Sequence, residues 1–83
     1  MELEQRVRKT VSRFHENIKL AKDVELSAKE KEVLELAKMY ASDSESWIAK
    51  GDLITAFSGI EYAHGLLDAI LKTKGKDPYE DHS

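Results

Sequence analysis

The chain has 83 residues and no cysteine, with 13 Lys and Arg against 16 Asp and Glu for a net charge of −3. That length holds one domain with a thin core, and without cysteine there is neither a disulfide nor a thiolate metal site, so stability has to come from packing or association. No apolar run follows Met1-Glu2-Leu3-Glu4 and none reaches the roughly 18 residues of a membrane span, so a soluble cytoplasmic protein with no secretory leader is expected.

Charged residues make up 35% of the chain, and Gln5 and Asn17 are its only side-chain amides. Hyperthermophile proteins share this bias, which predicts a thermostable protein. The charge is uneven. Residues 1–22 carry six Lys and Arg against three Asp and Glu, and residues 23–83 carry seven against thirteen. The cations of the first segment spread around a polar arc rather than along one stripe. Nucleic acid is therefore not an expected partner.

The first element is a helix from about Glu2 to Lys22. Leu3, Val7, Val11, Phe14, Ile18 and Ala21 recur three or four apart and form a narrow seam. Leu20 is the one large apolar residue off that seam. Asp23-Val24-Glu25-Leu26 connects it to a second helix. Ser27 and Glu30 form the Ser-x-x-Glu capping box, in which each side chain satisfies the other's free backbone N–H. The second helix therefore starts at about Ala28. Val33, Leu34, Leu36, Ala37, Tyr40, Ala41, Ser44, Trp47 and Ile48 make its broad inner face, and Lys50 lies in its last turn.

Gly51 ends that helix, since glycine takes the left-handed conformation at little cost. Asp52 caps the next one at once. A Gly-Asp step with nothing else between two helices predicts a tight antiparallel hairpin. The third helix runs from Leu53 to about Lys74 and stops at Gly75. The predicted architecture is all-α, an up-down-up three-helix bundle over residues 1–75, with residues 76–83 as a flexible tail.

The third helix holds the functional signal. Leu53, Ala56, Phe57, Ile60, Ala63, Leu67, Ile70 and Leu71 share one inner face, enough for two neighbouring helices. Its opposite side reads Ile54, Ser58, Tyr62, Gly65, Leu66 and Ala69. Those residues suit a contact surface, with Tyr62 and Leu66 as anchors. A glycine inside a helix costs about 0.5–1 kcal/mol relative to alanine. Gly59 and Gly65 therefore suggest close approach by another backbone or a ligand. The expected partner is a protein or a second copy of the chain.

The alternative is a small-molecule or metal-binding domain that uses the flank made by Glu61, His64 and Asp68, with Asp43 of the second helix nearby. Glu-x-x-His places two metal ligands on one side of a bundle helix. A di-iron carboxylate site needs two such motifs and two more Glu residues, so no metal is expected from the one motif here without a second copy. A flank histidine held by Asp68 beside Phe57 is the simpler expectation. Asp43, His64 and Asp68 also offer acid–base chemistry, but three short helices rarely enclose a pocket for it. No cofactor and no enzymatic activity are expected. Tyr40, Trp47 and Phe57 are spaced toward the core, so they read as packing rather than as a base-stacking platform.

Tyr40, Asp43, Gly51-Asp52, Ala56-Phe57, Tyr62-Ala63-His64-Gly65 and Leu67-Asp68-Ala69 together resemble a family of small archaeal proteins known as domain of unknown function 357. The likeness covers the segment from Tyr40 to Ala69 closely and the first helix by pattern. It implies an archaeal three-helix bundle and carries no activity with it.

Overall fold

The computed structural model describes residues 2–76. The expected tail lies outside them from residue 77 onward. Among the described residues there are three α-helices and no strand: α1 (Glu2–Asn17), α2 (Ala28–Ala49) and α3 (Leu53–Thr73). None of these helices is long and apolar enough to cross a membrane.

The first helix was expected to keep α-helical winding to Lys22. It does so only to Asn17, and a 3₁₀ helix continues it over Ile18–Asp23. A 3₁₀ helix has three residues per turn, so Ile18 and Ala21 stack along one edge. Ala21 is buried there, and both Ile18 and Leu20 pack against the core. The tighter winding thus also brings in the one apolar residue that the α-helical seam leaves out.

The entry to α2 is the capping box. The Glu30 N–H donates to Ser27 Oγ at 3.1 Å, and the Ser27 N–H donates to Glu30 Oε1 at 2.8 Å. The Ser27 backbone N–H and then the Lys74 ammonium hold the Glu30 carboxyl below its ordinary pKa. Lys74 Nζ lies 3.0 Å from Glu30 Oε1, so the end of α3 is tied to the start of α2.

The turn from α2 to α3 satisfies backbone groups from both helices. Gly51 takes φ +82°, its N–H donates to the Ile48 carbonyl, and the Asp52 N–H donates to the Trp47 carbonyl. This pair of bonds is the Schellman arrangement. Asp52 completes it and also opens α3, where its carboxylate accepts the Thr55 N–H at 3.0 Å and the Thr55 hydroxyl at 2.8 Å. Those two donors, the backbone first, hold the Asp52 pKa below its ordinary value. The end of α3 repeats the bond pattern, with Gly75 at φ +73° and the Lys76 N–H on the Leu71 carbonyl.

The core draws Val7, Val11 and Phe14 from α1, Ala37, Ala41 and Ile48 from α2, and Ala56, Ile60, Ala63, Leu67 and Leu71 from α3. The share of α2 is small in volume. Where Ser44 of α2 meets α3 the facing residues are Ala56 and Gly59. A Cβ built on Gly59 would come within 3.3 Å of Ser44 Oγ and 3.6 Å of the Tyr40 carbonyl. Ser44 is fully buried and its hydroxyl donates to the Ala56 carbonyl.

This close seam changes the expected inner face of α2. Trp47 is 37% exposed rather than buried, and Tyr40 is only half-buried. Two helices that approach on small residues leave no room between them for an indole or a phenol ring, so the large side chains straddle the rim.

Two outcomes follow from the turn. Gly51→Ala puts a Cβ on a left-handed residue and should lower stability by about 1–2 kcal/mol, read as a fall in the urea midpoint. Asp52→Asn tests the charge on the cap. The folded pKa of Asp52 lies below its unfolded value near 4, so its contribution is present above pH ~4 and is lost as pH falls through the folded pKa. Asn caps almost as well. The gap in urea midpoint between the native chain and Asp52→Asn should therefore shrink as pH is lowered from 6 toward 2, and a gap that stays constant would contradict an ionised cap.

Candidate functional site

Shallow grooves of about 250–310 Å³ run between the helices. The one between α2 and α3, about 280 Å³, opens on the side of the hairpin where the aromatics straddle the rim. From α2 it takes Tyr40, Asp43 and Trp47, from α3 it takes Thr55, Ser58 and Tyr62, and the Ser44–Gly59 seam forms its floor. Tyr40, Asp43 and Trp47 are three and four residues apart, which places them along one side of a helix.

The rings are arranged for contact. Tyr40 and Tyr62 meet edge to face, with centroids 4.7 Å apart and planes at 71°. That geometry suits the quadrupoles of two aromatic rings. Tyr62 is nevertheless 49% exposed. Lys50 Nζ sits 4.8 Å from the centroid of the Trp47 ring, a cation over an aromatic face. Asp43 is exposed and forms no ion pair among the described residues.

The outer face predicted for α3 is open. Ile54 is 75% exposed, Ser58, Gly65 and Ala69 are exposed, and Leu66 is half-buried and packs on the core. The two internal glycines separate here. Gly59 serves the α2–α3 seam, so its cost is explained within the chain. Among the described residues a Cβ on Gly65 would meet nothing within 4 Å, so no contact among them calls for glycine there.

The acidic flank is divided between different surroundings. Asp43 lines the α2–α3 groove. Glu61 lines the α1–α3 groove, with Arg6, Lys9, Arg13 and Phe57. Asp68 is half-buried one turn beyond His64. His64 is only 6% exposed. Its Nε2–H donates to the Thr10 carbonyl of α1 at 2.8 Å, and its ring meets Phe14 edge-on at 5.7 Å. The histidine is thus held by Thr10 and Phe14, where Asp68 and Phe57 were the expected neighbours. With Nε2 on a backbone oxygen, the ring serves as a strut between α1 and α3. Among the described residues no group of three or more potential ligands is gathered to hold a metal ion.

The charge on α1 is also more ordered than the sequence suggests. Arg6, Lys9 and Arg13 share the groove with Glu61, while Arg8 turns to the other side and bonds Glu4 at 3.0 Å. On the α2 side, His15 Nε2 meets Glu45 Oε1 at 2.8 Å.

Sequence reasoning missed the part that α2 plays in the aromatic groove, because Tyr40 and Trp47 were assigned to the core. The available signal was the width of the α2 inner face. Nine residues exceed what two neighbouring helices cover when the closest contacts are Ala and Ser.

No curated protein matches the chain. A family model described as "Protein of unknown function (DUF357)" matches residues 6–74, from the first turns of α1 through the C-cap of α3, and the chain belongs to that family.

Proposed function

We propose that this chain is an up-down-up three-helix bundle that acts as a protein–protein interaction or self-association module, with the outer face of α3 as its contact surface. The topology is supported by contacts that run in opposite directions along α2 and α3. Glu30 meets Lys74, Tyr40 meets Tyr62, and Ser44 meets Ala56. The α1–α2 pairings also oppose, with His15 meeting Glu45 and Arg8 lining one groove with Ile48.

The observation that carries the functional reading is the exposure of Ile54 and Tyr62 beside Gly65 on one helix. An exposed apolar and aromatic patch on a small domain marks a contact site more often than a solvated face. Gly65 adds an independent argument. It costs α3 helical stability and meets no packing need among the described residues.

Two substitutions at Gly65 test this. Gly65→Ala should stabilise the isolated chain by about 0.5–1 kcal/mol, seen in the urea midpoint, since the new methyl meets open space and alanine favours the helix. Gly65→Glu should keep the helical circular dichroism and abolish association. Light scattering after gel filtration reads this for a self-assembled form, and loss of a bound protein reads it for a heterologous one. Association that survives Gly65→Glu unchanged would remove the outer face of α3 from the interface.

A further inference from the structure

The α2–α3 groove is specific about charge. Tyr40, Trp47 and Tyr62 line it, and among the described residues its one formally charged side chain is Asp43 and no Lys or Arg lines it. Aromatic faces carry negative potential and attract cations, and several rings around one space are the known way to hold an ammonium or guanidinium group. A carboxylate at the rim adds a charge partner. The chain already shows the affinity in one place, since Lys50 lies over the Trp47 ring. An uncharged apolar partner would leave Asp43 without a counter-charge as water is excluded, which is unfavourable.

We propose that this groove binds the cationic side chain of a lysine or arginine presented by a protein partner. The proposal deepens the interaction reading and rests on it. The aromatic walls receive the charged head and its methylene stem together, and Asp43 sets the orientation. Lys50 is an internal competitor for the Trp47 face. The rest of the partner lies along the exposed α3 surface, beginning at Ile54 beside the groove.

Trp47 is the only tryptophan in the chain, so its fluorescence reports this groove without labelling. The full chain is titrated at constant ionic strength with blocked peptides carrying one lysine, one arginine or one glutamine between glycines, and separately with tetramethylammonium chloride. The lysine and arginine peptides should give a saturable change and the glutamine peptide none. Asp43→Asn and Tyr62→Leu should each weaken the midpoint about three- to tenfold, the size expected for one charge partner or one ring. Lys50→Ala should tighten it. Tyr62→Leu keeps apolar bulk, so an unchanged midpoint there would overturn cation recognition by the rings. Glutamine binding equal to lysine binding would overturn it as well, as would silence toward every cation. Tetramethylammonium binding tighter than both peptides would assign the groove to a free organic cation and overturn the protein partner. Gly65 lies outside the groove, so the two readings fail separately. Association lost in Gly65→Glu with a silent titration removes the cationic ligand and leaves the interface.

Discussion

The close approach of α2 and α3 along Ser44, Ala56 and Gly59 is the constraint on which the rest of the molecule depends. The Ser44 hydroxyl reaches the Ala56 carbonyl across the two helices, and Gly59 faces that same serine, where an added Cβ would sit a tight 3.3 Å from its Oγ. A polar hydroxyl at 0% exposure is tolerable only because it is bonded. The bond also fixes register, since sliding either helix by one turn would bury the hydroxyl without its acceptor. The Gly51-Asp52 turn closes one end of this seam and the Glu30–Lys74 pair closes the other. The exposed ion pair contributes little energy by itself. Its place beside the Ser27 cap makes it a marker of how the two ends meet.

From this seam the site follows. Small residues at the centre force the large ones outward, so Tyr40, Trp47 and Tyr62 line a groove over the seam. The same small residues that let α2 and α3 approach closely leave the outer side of the pair aromatic. The two surfaces of α3 then differ in kind. Toward α1 it meets a groove with three cations and one acid, and toward α2 it meets rings and a lone acid. His64 stands between them as structure. Its ring fills space against Phe14, and its N–H secures α1 through a backbone oxygen that no side-chain substitution removes.

Legibility in the sequence tracked how local each signal is. Ser27 with Glu30, and Gly51 with Asp52, act within a few residues of themselves, and the structure places each as the spacing predicts. The seam of the first helix was legible through Ile18 and Ala21, which do pack on the core, while the change of winding after Asn17, which also brings in Leu20, was not. Periodicity identified Ala56, Ile60, Ala63, Leu67 and Leu71 as buried. It failed for Trp47 because periodicity gives direction and not distance. A side chain can point toward a neighbouring helix and still be excluded when the two backbones come too close. The partner of His64 was hidden for a related reason. Asp68 is near in sequence, whereas Thr10 is 54 residues away and enters only when α1 docks.

The two internal glycines of α3 show how far sequence reasoning extends and where geometry has to take over. Both carry the same helix penalty, and from the sequence both suggest close approach. Geometry separates them, since Gly59 has Ser44 and Tyr40 against it and Gly65 has open space. A penalty explained by packing inside the chain says nothing about partners. One left unexplained there, on the same helix as an exposed Tyr62 and Ile54, directs attention outward. On the proposed reading, the neighbouring groove supplies what an apolar surface lacks, a reason to prefer one partner over another. Apolar burial sets how strongly two surfaces hold, while a carboxylate among aromatic rings discriminates between a cation and a neutral group of the same size. On the proposed reading, α2 and α3 together join a surface for association, on the outer side of α3, with a groove for selection, and that groove traces back to the small residues that bring the two helices together.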